Sequence, residues 1–394
     1  MPPGNRFRHQ VYRSERPTAP YHLFPAARPT EPSSQEFNAA LTAAGAAFGQ
    51  ARVAAVYCVH GTFAGNDALG LLTELARFAP GLSESLGHLG KRTVDAIAGD
   101  SGNFLPEYVA TFEAGLRAGA GRTIPVRLFN WSSQNNHIGR ADGAVRLIDE
   151  LARLATAMLA GELNADQPPR VVLWGHSHGG NVFALVTNLL GANAAARDGF
   201  FHAARSFYRP WWWGEVDVPV WESVRSLLGE AEHPLRKVAL DIVTFGAPVR
   251  YGWDSGGYAK LLHFVHHRVP PQRIEYQAPV PIETRRMLDA VDGDYVQQIG
   301  IAGSNLAPNP LAVRTFLADW RLDAILERDV PRERLLTRLK HGTRVPDEGT
   351  TLLVDYEVEE GLPRHMCGHA VYTRLKWLPL HCREVAARFY GAGQ

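Results

Sequence analysis

The sequence has few cysteines and no excess of charge of either sign. Its 394 residues include only three cysteines, Cys58, Cys367 and Cys382. A sparse, odd-numbered set argues against a disulfide framework and is typical of a protein from a reducing compartment. Lys and Arg together number 41, and Asp and Glu together number 40. Charge therefore gives no reason to expect a nucleic-acid or anionic-membrane partner.

Long apolar runs are also missing. No stretch approaches the roughly 18 consecutive apolar residues that a membrane-spanning helix needs. The N-terminal residues contain prolines and arginines but not the apolar core of a secretory signal. We therefore expect a protein without a transmembrane segment and with a cytoplasmic location.

Two nucleotide-binding motifs are absent from the sequence as well. It contains no G-x-x-x-x-G-K-[ST] and no strand-linked G-x-G-x-x-G. Nucleotide hydrolysis by a P-loop and dinucleotide binding by a Rossmann domain thus lose their main support.

What the chain does contain is a regular alternation of apolar strand-like runs with helix-like runs. The runs predict six strands, at 53–59, 124–130, 171–174, 238–245, 261–266 and 351–356. Helices are predicted at 71–78, 141–160, 181–190 and near 381–390, and a capping box at Ser33-Ser34-Gln35-Glu36 predicts a first helix that runs to Phe48. This order predicts an α/β class fold, a mostly parallel sheet flanked by helices on both faces.

Composition divides the chain further. Residues 1–32 hold seven prolines and are predicted to form an N-terminal arm. Residues 33–394 are predicted to form one domain with two insertions, an aromatic-rich segment at 195–236 and a long segment at 270–350 that is rich in prolines and charges.

The most informative motif is Gly175-His176-Ser177-His178-Gly179, which lies between a predicted strand and a predicted helix. A serine hydroxyl is a poor nucleophile and needs presentation on a tight, strained turn where a base can reach it. The two glycines leave room for such a turn, and the following helix directs its N-terminal dipole toward developing negative charge. The alternative interpretation is a plain glycine-rich turn with a capping serine.

With this motif the sequence resembles the α/β-hydrolase superfamily, in particular its lipase and esterase branches. Two further segments match, Val59-His60-Gly61-Thr62-Phe63 after the first strong strand and Thr244-Phe245-Gly246-Ala247-Pro248 after the fourth. The resemblance implies that Ser177 is the nucleophile and that the backbone N–H groups of Thr62 and His178 form the oxyanion hole. His60 and Phe63 are then expected to contact the substrate.

The resemblance also implies a catalytic histidine after the last strand. His369, in the setting Gly368-His369-x-x-Tyr372, is our prediction, and His365 is the alternative. His381 falls within the predicted closing helix and is interpreted as structural.

The acid is harder to predict because its usual position is empty. The family supplies it just after the strand that precedes the last one, but residues 268–271 contain no carboxylate. Downstream, Gly293-Asp294-Tyr295-Val296 resembles the segment that carries the acid in lipases. The glycine before the aspartate lets the chain turn sharply and bring the carboxylate to the histidine. We predict Asp294 as the acid, with Asp292 and Asp254 as alternatives.

A metal site is the competing interpretation of the histidines near the C-terminus. His365, Cys367 and His369 alternate there, with His381 and Cys382 downstream. Their spacing is not that of a zinc finger or ribbon, and no H-E-x-x-H occurs. We predict no metal and no cofactor.

The aromatic segment 195–236 is predicted to cap the site, with Trp211, Trp212 and Trp213 contacting an apolar or aromatic group of a small-molecule ester. The predicted activity is hydrolysis of carboxylic esters through an acyl-enzyme. Two alternatives remain open. In the first, the same residues catalyse the reaction of an acyltransferase, a thioesterase or an amidase. In the second, the protein has a hydrolase fold without catalytic activity and acts as a binding protein. The oligomeric state is not predicted.

Overall fold

The computed structural model describes most of the chain. The described residues are 7, 11–12, 16–61, 103–161, 167–209, 218–248, 250–281, 283–303, 305–308, 310–326, 337, 339–358 and 365–391.

The centre of the fold is a seven-stranded sheet. Its strands are β1 (Tyr21–Ala27), β2 (Val53–Val59), β3 (Val126–Phe129), β4 (Arg170–His176), β5 (Ala239–Phe245), β6 (Lys260–His266) and β7 (Thr350–Tyr356). They lie in the order β1-β7-β6-β5-β4-β2-β3, and every neighbouring pair is parallel. The protein therefore belongs to the α/β class, as the alternation of runs predicts.

Helices connect the strands. They are α1 (Gln35–Gln50), α2 (Pro106–Ala120), α3 (His137–Gly161), α4 (Gly179–Gly191), α5 (Ala194–Tyr208), α6 (Pro219–Gly229), α7 (Thr284–Leu288), α8 (Tyr295–Gly303), α9 (Val313–Leu326) and α10 (Leu378–Val385). The described residues also contain three 3₁₀ turns, Pro234–Lys237, Ser255–Gly257 and Leu375–Trp377, and a π-helical turn, Ala386–Tyr390.

Helices bury both faces of the sheet, and the side chains of each strand point alternately to one face and the other. In β4, Val171 and Leu173 pack into one apolar core with α3, α4, α5 and α6. Val172 and Trp174 point to the other face and pack with α1, α2 and α10. This two-sided burial explains why the central strands read as unbroken apolar runs in the sequence.

The six predicted strands are all confirmed, with small differences at their ends. The first helix is confirmed too, because the Ser34 hydroxyl caps α1 by accepting from the Phe37 N–H at 3.1 Å. The predicted helix at 71–78 lies outside the described residues.

The strand β1 was not predicted, since its sequence lies in the proline-rich segment 1–32 and four of its seven residues are exposed. It extends the sheet by pairing with β7. The division into an arm at 1–32 and a domain at 33–394 stays a prediction.

The described part of the 195–236 segment consists of α5, α6 and a 3₁₀ turn. Its aromatic side chains fill the core on the α3 face, namely those of Phe200, Phe201, Tyr208 and Trp221. The Trp221 indole N–H also donates to Asp142 of α3 at 2.8 Å. The prediction of a cap now depends on residues 210–217, which lie outside the described residues and include Trp211, Trp212 and Trp213.

Among the helices of the described residues, none combines the length and the apolar composition needed to cross a membrane.

Candidate functional site

The carboxyl ends of the central strands bring the candidate residues to one edge of the sheet. In the β2–β4 pair Val59 lies opposite Gly175, and in the β4–β5 pair His176 lies opposite Phe245. The segments that follow these strands therefore meet at the same edge. In open parallel sheets this is the edge at which ligands bind.

Ser177 lies in a strained turn between β4 and α4. Its φ is +54°, in the left-handed region that non-glycine residues rarely occupy. The turn is held by the Ser177 N–H, which donates to the Phe245 carbonyl at 2.9 Å, and by the Gly180 N–H, which donates to the Ser177 carbonyl at 3.0 Å. We refer to residues 175–180 as the Ser177 turn.

The two glycines of the motif are required by close packing. A Cβ on Gly175 would collide with the ring of Phe183, and a Cβ on Gly179 would come within 2.6 Å of the Val59 carbonyl oxygen. The turn is therefore tight enough that α4 begins directly against the end of β2.

His60 and Gly61 lie against this turn. A Cβ on Gly61 would collide with Ser177 Cβ and lie 2.9 Å from its Oγ. His60 Nδ1 is 2.9 Å from the Gly61 carbonyl oxygen and 3.2 Å from Ser133 Oγ, while the Trp131 indole N–H donates to the His60 carbonyl at 2.9 Å. Burial lowers the pKa of the His60 imidazole, against the opposing effect of its bond to Gly61.

Only one half of the predicted oxyanion hole is described. Thr62 lies outside the described residues, as does Phe63. His178 is the N-cap residue of α4, and among the described residues no backbone carbonyl accepts from its N–H. Its imidazole Nδ1 accepts from the Asn181 amide at 2.9 Å. Burial, and then the charges of Arg140 and Arg250, keep the pKa of this imidazole well below its ordinary value.

Asp294 and His369 form a hydrogen-bonded pair. Asp294 Oδ2 and His369 Nδ1 are 2.8 Å apart, and both side chains are almost completely buried. The Tyr372 hydroxyl donates to the same carboxylate oxygen at 2.8 Å, and the Gln297 N–H donates to Oδ1 at 2.8 Å. Burial raises the pKa of Asp294, but His369, the Gln297 N–H and the Arg344 charge outweigh it and lower the pKa overall.

Residues 292–294, the Asp294 turn, carry this carboxylate to the sheet edge. Gly293 has a φ of +108°, and a Cβ there would collide with the His266 carbonyl. The Asp294 N–H donates to that carbonyl at 3.0 Å. Arg344, which is fully buried, donates to it as well. Because Gly293 permits this sharp turn, Asp294 lies against the end of β6.

The alternative acids are engaged elsewhere. Asp292 accepts from the Tyr295 hydroxyl at 2.5 Å and from Arg286 at 3.1 Å. Asp254 caps the 3₁₀ turn at 255–257 and lies beside Gly191, at the opposite end of α4 from Ser177. Of the three aspartates considered from the sequence, the structure brings Asp294 to His369.

The Asp294–His369 pair lies next to the end of β4. The ring of His176 is 4.6 Å from that of His369, and its Nε2 lies 3.0 Å from the His369 carbonyl oxygen. On the other side, a Cβ on Gly246 would come within 2.6 Å of Asp294 Oδ2. The pair thus sits at the ends of β4 and β5, beside the strand that leads directly into Ser177.

The side chains of the metal alternative have other surroundings in the structure. The described residues contain no group of three or more His, Cys, Asp or Glu side chains that could hold a metal ion. His365 Nδ1 accepts from the Gly368 N–H at 3.3 Å. Cys367 packs in an apolar cluster, where burial raises the pKa of its thiol to about 12. His381 is bonded to the Tyr356 hydroxyl at 2.8 Å.

Two residues of the site have a role that the sequence does not predict. Tyr372 belongs to the Gly-His-x-x-Tyr pattern, but the pattern does not indicate its bond to Asp294. Arg344 has no local signal, because it reaches the Asp294 turn from a segment 78 residues beyond His266.

Comparison of the chain with protein-family models, with curated proteins and with solved structures gave no match.

Proposed function

We propose that this protein is a serine hydrolase with the α/β-hydrolase fold that cleaves carboxylic esters through an acyl-enzyme. The observation that carries the proposal is the 2.8 Å hydrogen bond between Asp294 and His369, beside the strand that presents Ser177 on a left-handed turn. Serine, imidazole and buried carboxylate are the three groups that nucleophilic acyl transfer requires.

In the first step Ser177 Oγ attacks the ester carbonyl carbon. The hydroxyl proton passes to His369 Nε2, and the carbonyl π electrons move to oxygen to give a tetrahedral intermediate. The Asp294 carboxylate keeps the Nδ1–H of His369 oriented and stabilises the imidazolium that forms.

The negative oxygen is held by backbone groups. The His178 N–H faces it, together with the N-terminal end of α4, whose dipole favours negative charge. The Thr62 N–H is the second proposed donor, by resemblance to the lipase motif.

The intermediate collapses when His369 Nε2–H protonates the alcohol oxygen and the ester C–O bond breaks. The acyl group remains on Ser177. Water then attacks the acyl carbon and gives a proton to His369, and a second collapse releases the carboxylic acid and restores the serine hydroxyl. Each proton that leaves the serine or the water returns through the same imidazole.

Labelling with a fluorophosphonate probe tests the proposal. The wild-type chain should form a covalent adduct at Ser177, and Ser177→Ala should form none. Ser206→Ala is the matched control, because Ser206 is a buried serine on α5 whose hydroxyl donates to the Arg314 carbonyl. It should be labelled at the wild-type rate.

If the wild-type chain has intact secondary structure but is not labelled, the hydrolase proposal is wrong. A binding protein without catalytic activity is then favoured. If labelling occurs, turnover of p-nitrophenyl esters of increasing chain length, alongside matched thioesters and anilides, identifies the acyl group that is cleaved. Faster turnover of thioesters or anilides than of esters would replace esterase with thioesterase or amidase.

A further inference from the structure

Another buried charge, besides Asp294 and Arg344, lies beside the site and plays no part in the mechanism above. Arg140, in the first turn of α3, is fully buried. Its three hydrogen-bond acceptors are neutral: the Tyr251 hydroxyl at 2.7 Å from Nε, Asn135 Oδ1 at 2.8 Å from Nη1 and Asn305 Oδ1 at 2.6 Å from Nη2. The guanidinium also lies over the Tyr251 ring, 5.4 Å from its centroid.

No carboxylate in the described part of the chain forms an ion pair with Arg140. The nearby acids serve other groups. Asp319 accepts from the Ile138 N–H at 2.9 Å, at the start of α3, and reaches Arg140 only through Asn305. Asp323 faces His137 at 3.3 Å. A buried charge without a counter-ion is costly, so a purely structural role would be served better by an arginine paired with a carboxylate or by an apolar residue.

Two of the three acceptors, Tyr251 and Asn135, belong to loops that flank the Ser177 turn. Tyr251 follows β5 in a loop where the Arg250 N–H donates to Asn181, and the Asn181 amide bonds the His178 imidazole. Asn135 follows β3 in the loop that bonds His60 through Trp131 and Ser133. Arg140 therefore lies between the two loops that flank the Ser177 turn.

The charge of Arg140 is also felt at His178. After burial, it is the largest contribution that lowers the pKa of the His178 imidazole. Positive potential at His178 opposes a proton on the imidazole, and the same potential favours a negative oxygen at its backbone N–H.

We infer that Arg140 is an electrostatic residue of this site, whose buried charge stabilises the negative oxygen formed at the His178 N–H during attack by Ser177. The inference rests on the proposed hydrolase function. The low-dielectric surroundings make such a preorganised charge effective without direct contact. Its neutral partners hold the guanidinium in place without cancelling the charge.

Cancelling the charge without removing the arginine tests this inference. Asn135→Asp replaces one amide acceptor of Arg140 by a carboxylate of the same shape and creates a buried ion pair. The double variant Asn305→Asp, Asp319→Asn does the same from the opposite side and serves if the first variant does not fold. Asp319 must become an amide there, because it accepts from Asn305 at 3.3 Å and would repel a second carboxylate. The readout is the second-order rate constant for fluorophosphonate labelling of Ser177, measured with the temperature of thermal unfolding.

Tyr251→Phe is the matched control, since it also removes a neutral partner of Arg140 but adds no negative charge. We expect Asn135→Asp to label about tenfold more slowly than wild type, less than the 10²- to 10³-fold loss typical of removing a direct oxyanion donor. Its unfolding temperature should stay equal or rise. Tyr251→Phe should lose at most about threefold in labelling rate.

Equal labelling of the folded Asn135→Asp variant and wild type would overturn the role of Arg140 while leaving the hydrolase proposal intact. A greater loss in Tyr251→Phe than in the aspartate variants would overturn it too, because anchoring and not charge would then matter. Absence of labelling in wild type overturns both.

Discussion

The Ser177 turn and the Asp294 turn meet at one sheet edge but are built in different ways. The first is encoded in one short segment, whose glycines leave room for Phe183 of α4 and for the end of β2. The second is assembled from distant segments: Asp294 meets a histidine 75 residues away, and Arg344 closes the turn from a third segment. Local geometry can be recognised as a short motif, whereas an assembled turn needs several chain segments to fold first.

The largest expected effect comes from the assembled turn. Asp294→Asn keeps the shape of the side chain but removes the charge that orients His369. We expect kcat for ester hydrolysis to fall by about 10⁴, as in serine hydrolases whose triad acid becomes an amide. Steady-state kinetics on a p-nitrophenyl ester, with circular dichroism to verify the fold, measures it.

Asp254→Asn is the control for this change, since Asp254 lies at the far end of α4. It should retain turnover close to wild type. If Asp254→Asn or Asp292→Asn lost activity while Asp294→Asn kept it, the acid would be wrongly assigned although the hydrolase proposal would survive.

A smaller loss is expected from the local turn. Gly61→Ala brings a methyl group into Ser177 Cβ and to 2.9 Å from Oγ, so the serine must shift. A displacement of about 1 Å at a reacting group costs about 10²-fold in rate, and we expect a loss of that size in the labelling rate of Ser177.

Gly229→Ala is the matched control, because a Cβ on this last residue of α6 would meet nothing within 4 Å. Its labelling rate should equal that of wild type. Equal rates for both alanine variants would show that the Ser177 turn tolerates movement and is less tightly built than its contacts indicate.

The same contrast explains what the sequence could predict. The six central strands were visible because burial on both faces leaves unbroken apolar runs, and Ser177 because its turn is encoded within a few residues. His369 and Asp294 were chosen by order along the chain and by a glycine, and the structure places them together. Nothing local marks β1, which depends on β7 for its pairing. Arg344 likewise reaches His266 from 78 residues away, and two of the three acceptors of Arg140, Tyr251 and Asn305, lie more than 100 residues from it.

The smallest effect concerns the stability of the Asp294 turn in acid. His267 bridges to Gly293 and its Nε2 lies 2.6 Å from the Glu275 carbonyl oxygen. Burial, and then the Arg344 charge, lower the pKa of His267 from 6.5 to about 3. The unfolded chain therefore binds a proton that the folded chain does not. The stability that the neutral imidazole contributes is fully present above about pH 6.5 and is lost as the pH falls toward 3.

His267→Gln tests this linkage, because a glutamine amide can replace the Nε2–H donor to Glu275 but does not titrate. Urea unfolding between pH 4 and 6 should show the free energy of unfolding of wild type falling with pH more steeply than that of the variant. The difference in slope should be about 1.4 kcal/mol per pH unit, the value for one proton. Identical slopes would mean that His267 is already protonated in the folded protein, so that the Asp294 turn would be less well shielded from solvent than the Ser177 turn.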